Sequence, residues 1–348
     1  MKEEIKMVRR LTVLATGLLL AAASSTMAAD GGRVILTSSN ALANELLVFS
    51  TSGVLVQSVP TQGQGGAGGN AGGIATSGDR VAVVNFGSQN VSLFSRTDRG
   101  FELRQTVAVA SQPVSVAFGH DHLYVLGTTT LESHGLVPGG VREAADGLVA
   151  LLVADGSAAQ VGVAGDELIV SEKGGTVERI RLRDGAVSGT PQGVQLPPGS
   201  NDTPFGLVTR GSTAYVTVAA SDAVAVVKNG VVTSFATTGV PGGAGQHSPC
   251  WIAVVGPFLF TTNSPSHSVS RLVAGGRNVV LDSPVAAQTN GAPIDIAADR
   301  DLVALIESDG GGLAHVTQFH LDADGTLTRT STTAIASAAN GIAIVSGK

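Results

Sequence analysis

The chain is 348 residues long, with 14% of them charged, 46 glycines and a formal charge of −6. That acidic balance argues against nucleic acid as a partner, because phosphates need a basic surface. The single cysteine, Cys250, excludes an internal disulfide and any zinc site built on cysteine pairs.

Residues 1–29 read as an export signal. Lys6, Arg9 and Arg10 give a basic start, residues 11–23 an apolar run, and Thr26-Met27-Ala28-Ala29 small residues for cleavage. The run is short for a membrane span, and no cysteine follows it to carry a lipid anchor. Glu3 and Glu4 are unusual in such a start, which makes Met7 an alternative initiator to Met1. The reading is a periplasmic or extracellular protein without a membrane anchor. The leader holds four basic and two acidic side chains, so its removal takes the charge from −6 to −8.

From residue 30 to 348 one sentence of sequence repeats, consisting of a short apolar strand, a tight turn, and a second apolar strand. It is clearest in Pro249-Cys250-Trp251-Ile252-Ala253 followed by Leu259-Phe260-Thr261-Thr262-Asn263. Further copies begin at Pro113, Pro204 and Pro293, and looser copies at Gly73, Gly162 and Gly341. The apolar anchors Ile74, Val116, Val163, Leu207, Ile252, Ile296 and Ile342 recur at intervals of 42 to 47 residues. A period in this range, filled with short β-branched strands, marks four-stranded propeller blades, and seven anchors mean seven blades. The strand around Ile342 lacks partners after it, whereas Val34, Glu45 and Val54 open three strands with none before them. The C-terminal strand therefore completes the first blade and closes the ring, which removes an exposed edge. The fold class is all-β, a seven-bladed β-propeller. Few aromatics leave small β-branched side chains to pack between blades.

Two segments interrupt the pattern. Residues 62–73 are glycine-rich but lack the lysine of a phosphate loop, and read as a flexible connection between blades. Residues 128–146 show little strand pattern and read as a long loop inserted in the third blade. Cys250 lies in an apolar strand and reads as a buried small hydrophobe. Asp322-Ala323-Asp324-Gly325 reads as a hairpin turn, since no acid closes a calcium loop at the required distance. His120 and His122 read as solvent-exposed, and His315 and His320 point to opposite sides of one strand. No metal or cofactor is called for.

The entry to each inner strand and the turn leaving each second strand share one face. The residue eleven after the anchor ends the second strand: Asn85, Gly127, Val218, Asn263 and Glu307, with Glu172 in the fourth blade. The entry loops add Asp202, Gln246, His247 and Asn290, and both interrupting segments open onto this face. Glu172, Glu307 and His247 are the candidate catalytic residues, able to share acid–base work on an ester-like bond. Asn85, Asp202, Trp251, Asn263 and Asn290 are the candidate ligand contacts. A second reading gives these groups a structural role, in which ring Asn and Glu satisfy backbone groups at strand ends and His247 caps its loop. The Gly-x-Ser-x-Gly and His-Glu-x-x-His motifs are absent, which disfavours serine and zinc hydrolases.

Thr203-Pro204-Phe205-Gly206, Gln246-His247-Ser248-Pro249-Cys250-Trp251, Thr262-Asn263, Pro293-Ile294-Asp295 and Val170-Ser171-Glu172-Lys173 resemble the seven-bladed lactonase family, which includes 6-phosphogluconolactonase-type and carboxymuconate-cyclase-type propellers. The resemblance covers nearly the whole chain after the leader and is nearest to exported bacterial members. It implies a lactonase-like hydrolase acting on a small lactone at the channel mouth. The family's sugar-phosphate lactonases carry a Pro-Arg-His entry and an Asn-Glu strand end in one blade. Here that blade reads Pro204-Phe205-Gly206, and Val218 stands in place of the acid. The alternative is a non-catalytic propeller that binds a small ligand or protein partner through the same face. A monomer is expected in either case.

Overall fold

Each sequence repeat folds as one antiparallel sheet of four strands, and the sheets pack face to face around an axis. A computed structural model describes residues 32–200, 202–238, 246–275, 278–311, 313–336 and 339–346. The leader read at residues 1–29, with its two candidate initiators, lies outside these residues. The described strands form seven sheets, and the one helical element among them is a 3-10 turn at Ala219–Ser221.

Closure occurs where the repeat placed it. Asn340–Val345 is the inner strand of the first blade, pairing antiparallel with Val34–Ser38, which pairs in turn with Glu45–Ser50 and then Leu55–Pro60. The inner strands of the other blades begin at Ile74, Pro113, Ala158, Pro204, Pro249 and Ala292. Consecutive inner strands touch around a complete ring.

Burial follows from this stacking. Second strands are covered on both faces by neighbouring blades, so Arg80–Asn85 and Thr213–Val218 are buried almost continuously. The outer strand Leu55–Pro60 is covered far less. The core divides into seven clusters, one per blade interface. Val34, Val48, Val81 and Phe94 join blades one and two, and Ile35, Ile306, Val316 and Ile342 join blades seven and one. Valine, alanine and leucine dominate them, as the scarcity of aromatics requires.

The third blade corrects the sequence reading. Thr130–Val137 is a regular third strand paired with His122–Gly127. Its outer edge is split into Gly140–Val141 and Gly147–Ala150, both paired to that strand. The pattern was hidden because Glu132, Ser133 and His134 are polar yet fully enclosed. Glu132 accepts the Ala110 N–H, Ser133 donates to Asp146 at 2.6 Å, and His134 binds the Arg142 carbonyl at 2.9 Å. Because Thr130–Val137 runs away from the mouth, the extra turn at residues 138–146 lies on the opposite face.

Candidate functional site

The second-strand ends do gather around one mouth, but their side chains turn inward between blades. Asn85 is buried, with every polar group satisfied. Its Oδ1 accepts Asn44 Nδ2 at 2.9 Å and Thr61 Oγ1 at 2.8 Å, and its Nδ2 donates to Asn90 and Ser92 at 2.7 and 2.8 Å. Asn263 is buried and donates to Ser268 and Ser270. Glu307 is buried, and its Oε2 accepts the backbone N–H groups of Asn290 and Gly291 at 2.8 and 3.2 Å. The Glu307 contacts tie the entry loop of blade seven to the strand end below it. Asn290 itself is exposed.

Glu172 is also fully buried, set against Glu178 of the next strand. Glu178 Oε1 accepts the Leu152 and Val153 N–H groups at 2.7 and 3.3 Å. Burial first, and the neighbouring Glu178 charge second, push the Glu172 carboxyl up to about 8. Burial raises Glu178 as well. Both Glu172 oxygens lack a hydrogen-bond partner among the described residues, so the buried carboxyl favours its protonated form. Neither Glu172 nor Glu307 is therefore open at the mouth.

The glycine-rich connection corrects the second segment reading. Residues 62–73 form a strap laid across the mouth and bonded to five blades. Asn40 of blade one holds Gly66 N–H and Ala67 N–H on Oδ1 and donates to Ala67 O at 2.7 Å. Ser88 of blade two accepts Gln64 N–H at 2.8 Å. Asn70 donates to Val114 O of blade three, and Lys173 of blade four donates to Gly69 O. Trp251 Nε1 of blade six donates to Asn70 O at 3.0 Å. Glycine is required here by close approach: a Cβ on Gly65 would lie 2.2 Å from the Asn40 backbone. Trp251 thus sits beneath the strap, 8% exposed, edge-on to Phe205 at 5.0 Å.

One pair remains open to solvent on this face. His247 Nδ1 binds Asp222 Oδ2 at 2.9 Å, and Asp222 Oδ1 accepts Ser248 N–H at 2.7 Å. The His247 side chain is 61% exposed. The bond to Asp222 places the ring proton on Nδ1 and leaves the Nε2 lone pair outward, with no protein partner among the described residues. Asp202 is exposed and bonded within its own loop, where Ser200 donates to it at 2.8 Å. Cys250 is half-buried rather than buried, and burial pushes its thiol up to about 11, which keeps it from acting as a nucleophile.

Asp222 was missed by the sequence reading, which looked for an acid at Val218. The register held the signal. Gln89, Asp222 and His267 each lie fifteen residues after an anchor and each adopts a left-handed conformation, with φ of 52°, 50° and 49°. The turn after the second strand is therefore a repeated position, and in blade five it carries the carboxylate.

No protein-family model matches the chain, and no curated protein matches it. Solved structures do. The periplasmic gluconolactonase of Pseudomonas aeruginosa superposes with a TM-score of 0.65 at 15% identity, over 91% of this chain and 99% of that one. A Bacteroides fragilis protein with a provisional 6-phosphogluconolactonase assignment gives 0.65 at 13%, over 90% and 98%. The WD40 repeats of RRP9 give 0.58 at 13%, over 87% and 90%. Likeness at this identity fixes the seven-bladed fold, and the same fold carries unrelated functions.

Proposed function

We propose that this propeller is a lactonase-like hydrolase that opens a small lactone at the mouth, with His247 as general base and Asp222 as the residue that orients it. The observation that carries the reading is the 2.9 Å bond from His247 Nδ1 to Asp222, which leaves Nε2 outward. A water on Nε2 loses its proton to the ring as its oxygen bonds to the lactone carbonyl carbon. The tetrahedral intermediate then breaks the ring C–O bond, and the imidazolium returns the proton to the departing alkoxide. Asp222 stabilises the imidazolium meanwhile. The two lactonase-named structures support the substrate class, and one of them is periplasmic. Export through residues 1–29 belongs to the same proposal; N-terminal sequencing of protein recovered from the periplasm checks it, with an uncleaved start counting against.

The test is hydrolysis of a panel of sugar, muconate and acyl lactones, followed by proton release. His247→Gln should lower turnover by about 10²–10⁴-fold. Asp222→Asn should reverse the imidazole tautomer and lose much of the same activity. Glu172→Gln should leave it intact. Full turnover in His247→Gln removes the assignment.

The strap favours a second reading. It lies where a ligand would enter, so a chain that turns over no lactone is a binding propeller that uses the rim of this face. Saturable ligand binding without turnover, weakened by His247→Gln, would establish that alternative.

A further inference from the structure

Blades five and six leave a cavity of about 530 Å3 between them, within the roughly 300–1,000 Å3 of small-molecule pockets. Thr213 opens the second strand of blade five and Lys228 ends the third, so the cavity lies on the face opposite the mouth. The pleat builds its wall. Residues two apart on a strand share a side, which brings Thr213 with Tyr215, Val226 with Lys228, and Val231 with Thr233 onto the side facing blade six. Asn278 and Val279 of blade six stand across from them.

Tyr124 and Tyr215 occupy the same repeat position, each eight residues after its anchor, Val116 or Leu207. In blade three the phenol is closed off, because Tyr124 Oη donates to Gly185 O of the next blade at 2.8 Å. In blade five the ring is also buried, with Tyr215 7% exposed. Its Oη makes no hydrogen bond among the described residues, is not enclosed by protein, and opens on the cavity. The phenol of a buried ring ordinarily finds a partner, so an open one marks the place of an acceptor.

A cation stands near it. Lys228 is the diagonal neighbour of Tyr215 on the next strand, a spacing of roughly 7–8 Å that a lysine side chain can span. No acidic side chain lines the cavity, and Lys228 has no ion pair among the described residues. In a chain of charge −6 the cavity is therefore locally positive. The rest of its wall includes Val226, Val231 and Val279, and Val231 is 60% exposed, an apolar surface that a ligand's body would cover. One ammonium and one phenol match the two oxygens of a carboxylate, whereas a single cation leaves a phosphate dianion half balanced. We propose that this cavity binds a small monocarboxylate with an aromatic or branched body, its oxygens on Lys228 and Tyr215 and its body against the three valines. The site lies opposite the His247–Asp222 pair and does not depend on the hydrolase reading.

The experiment is calorimetric titration of the purified protein with sodium benzoate and sodium phenylacetate, against benzyl alcohol and sodium phosphate. Saturable binding of at least one carboxylate is expected, several-fold weaker at high salt than at low salt. Tyr215→Phe keeps the ring and should weaken it about tenfold. Lys228→Gln, at an exposed position that does not endanger the fold, should weaken it by about the same factor. Tyr124→Phe, whose phenol is already bonded, should bind as the parent does. The site is overturned by no saturable heat with either carboxylate, or by benzyl alcohol or phosphate binding equally well. Unchanged binding in Tyr215→Phe or Lys228→Gln, or an equal loss in Tyr124→Phe, overturns it too.

Discussion

Glu172 and Glu178 lie diagonally on neighbouring strands, two positions out of register, with both carboxyls shielded from water, and that burial governs their chemistry. The folded-state value of Glu172, about 8, lies above the roughly 4.3 of an unfolded glutamate. Between those values the folded chain binds more protons than the unfolded one, so stability is full below pH about 4 and is lost as pH rises through about 8. Asp295 adds a loss of the same sign up to about 7. The melting temperature should therefore fall from pH 5 to pH 9. Glu172→Gln should recover stability of the order of 2–4 kcal/mol at pH 9, and adding Asp295→Asn should flatten the profile further. A slope unchanged in the double variant would place the responsible protons elsewhere. The register of the repeat located these side chains along the chain but not their direction. Asn85, Glu172, Asn263 and Glu307 stand at the rim by backbone position, and the pleat of a strand covered by two blades turns them into the inter-blade layer. Partners such as Glu178, on the next strand, or the Asn290 and Gly291 amides, in the entry loop, leave no mark near the residue itself.

At the scale of elements, composition misled where backbone contacts decide the outcome. A glycine-rich segment reads as slack, yet residues 62–73 carry glycine because the strap presses against other backbone. The residues that hold it, Asn40, Ser88, Lys173 and Trp251, are scattered over four blades and become its partners only once the ring has closed. Trp251→Phe keeps the ring and removes the donor to Asn70 O. Loss of one such bond amounts to about 1 kcal/mol, or a fivefold shift toward the open strap. Amide exchange at Asn70 and Ala71 should quicken about fivefold, with exchange in the second strands unchanged. Equal protection in the variant would show that Asn40 and Lys173 hold the strap alone. The third strand of blade three failed for the mirror reason. Its buried polar residues are held by Ala110, Asp146 and Arg142 from other segments, so the strand carries no apolar signature.

For the whole molecule, the fold was legible because period and blade are the same unit. Four short strands cannot bury both faces alone, so each repeat carries the apolar pattern its neighbours need, and seven patterns of near-equal length leave few arrangements other than a ring. Closure then depends on the strand Asn340–Val345. It covers Val34–Ser38, whose Ile35 and Leu36 are fully buried, and it places Ile342 in the layer shared with blade seven. Side chains clasp the same junction: Arg96 donates to Ser346 O at 3.1 Å and to Gly32 O, Ser346 contacts Asp299, and Arg33 pairs with Asp301. Removing residues 340–348 would leave Val34–Ser38 as an unpaired apolar edge in an open ring, a template for association. The truncated protein should lose its single cooperative melting transition and sediment as aggregates, and the milder Ile342→Ala should cost about 2–4 kcal/mol while remaining monomeric. A truncated chain that stays monomeric and melts at the parent temperature would show that the blade interfaces alone hold the ring, and that the clasp only trims its edge.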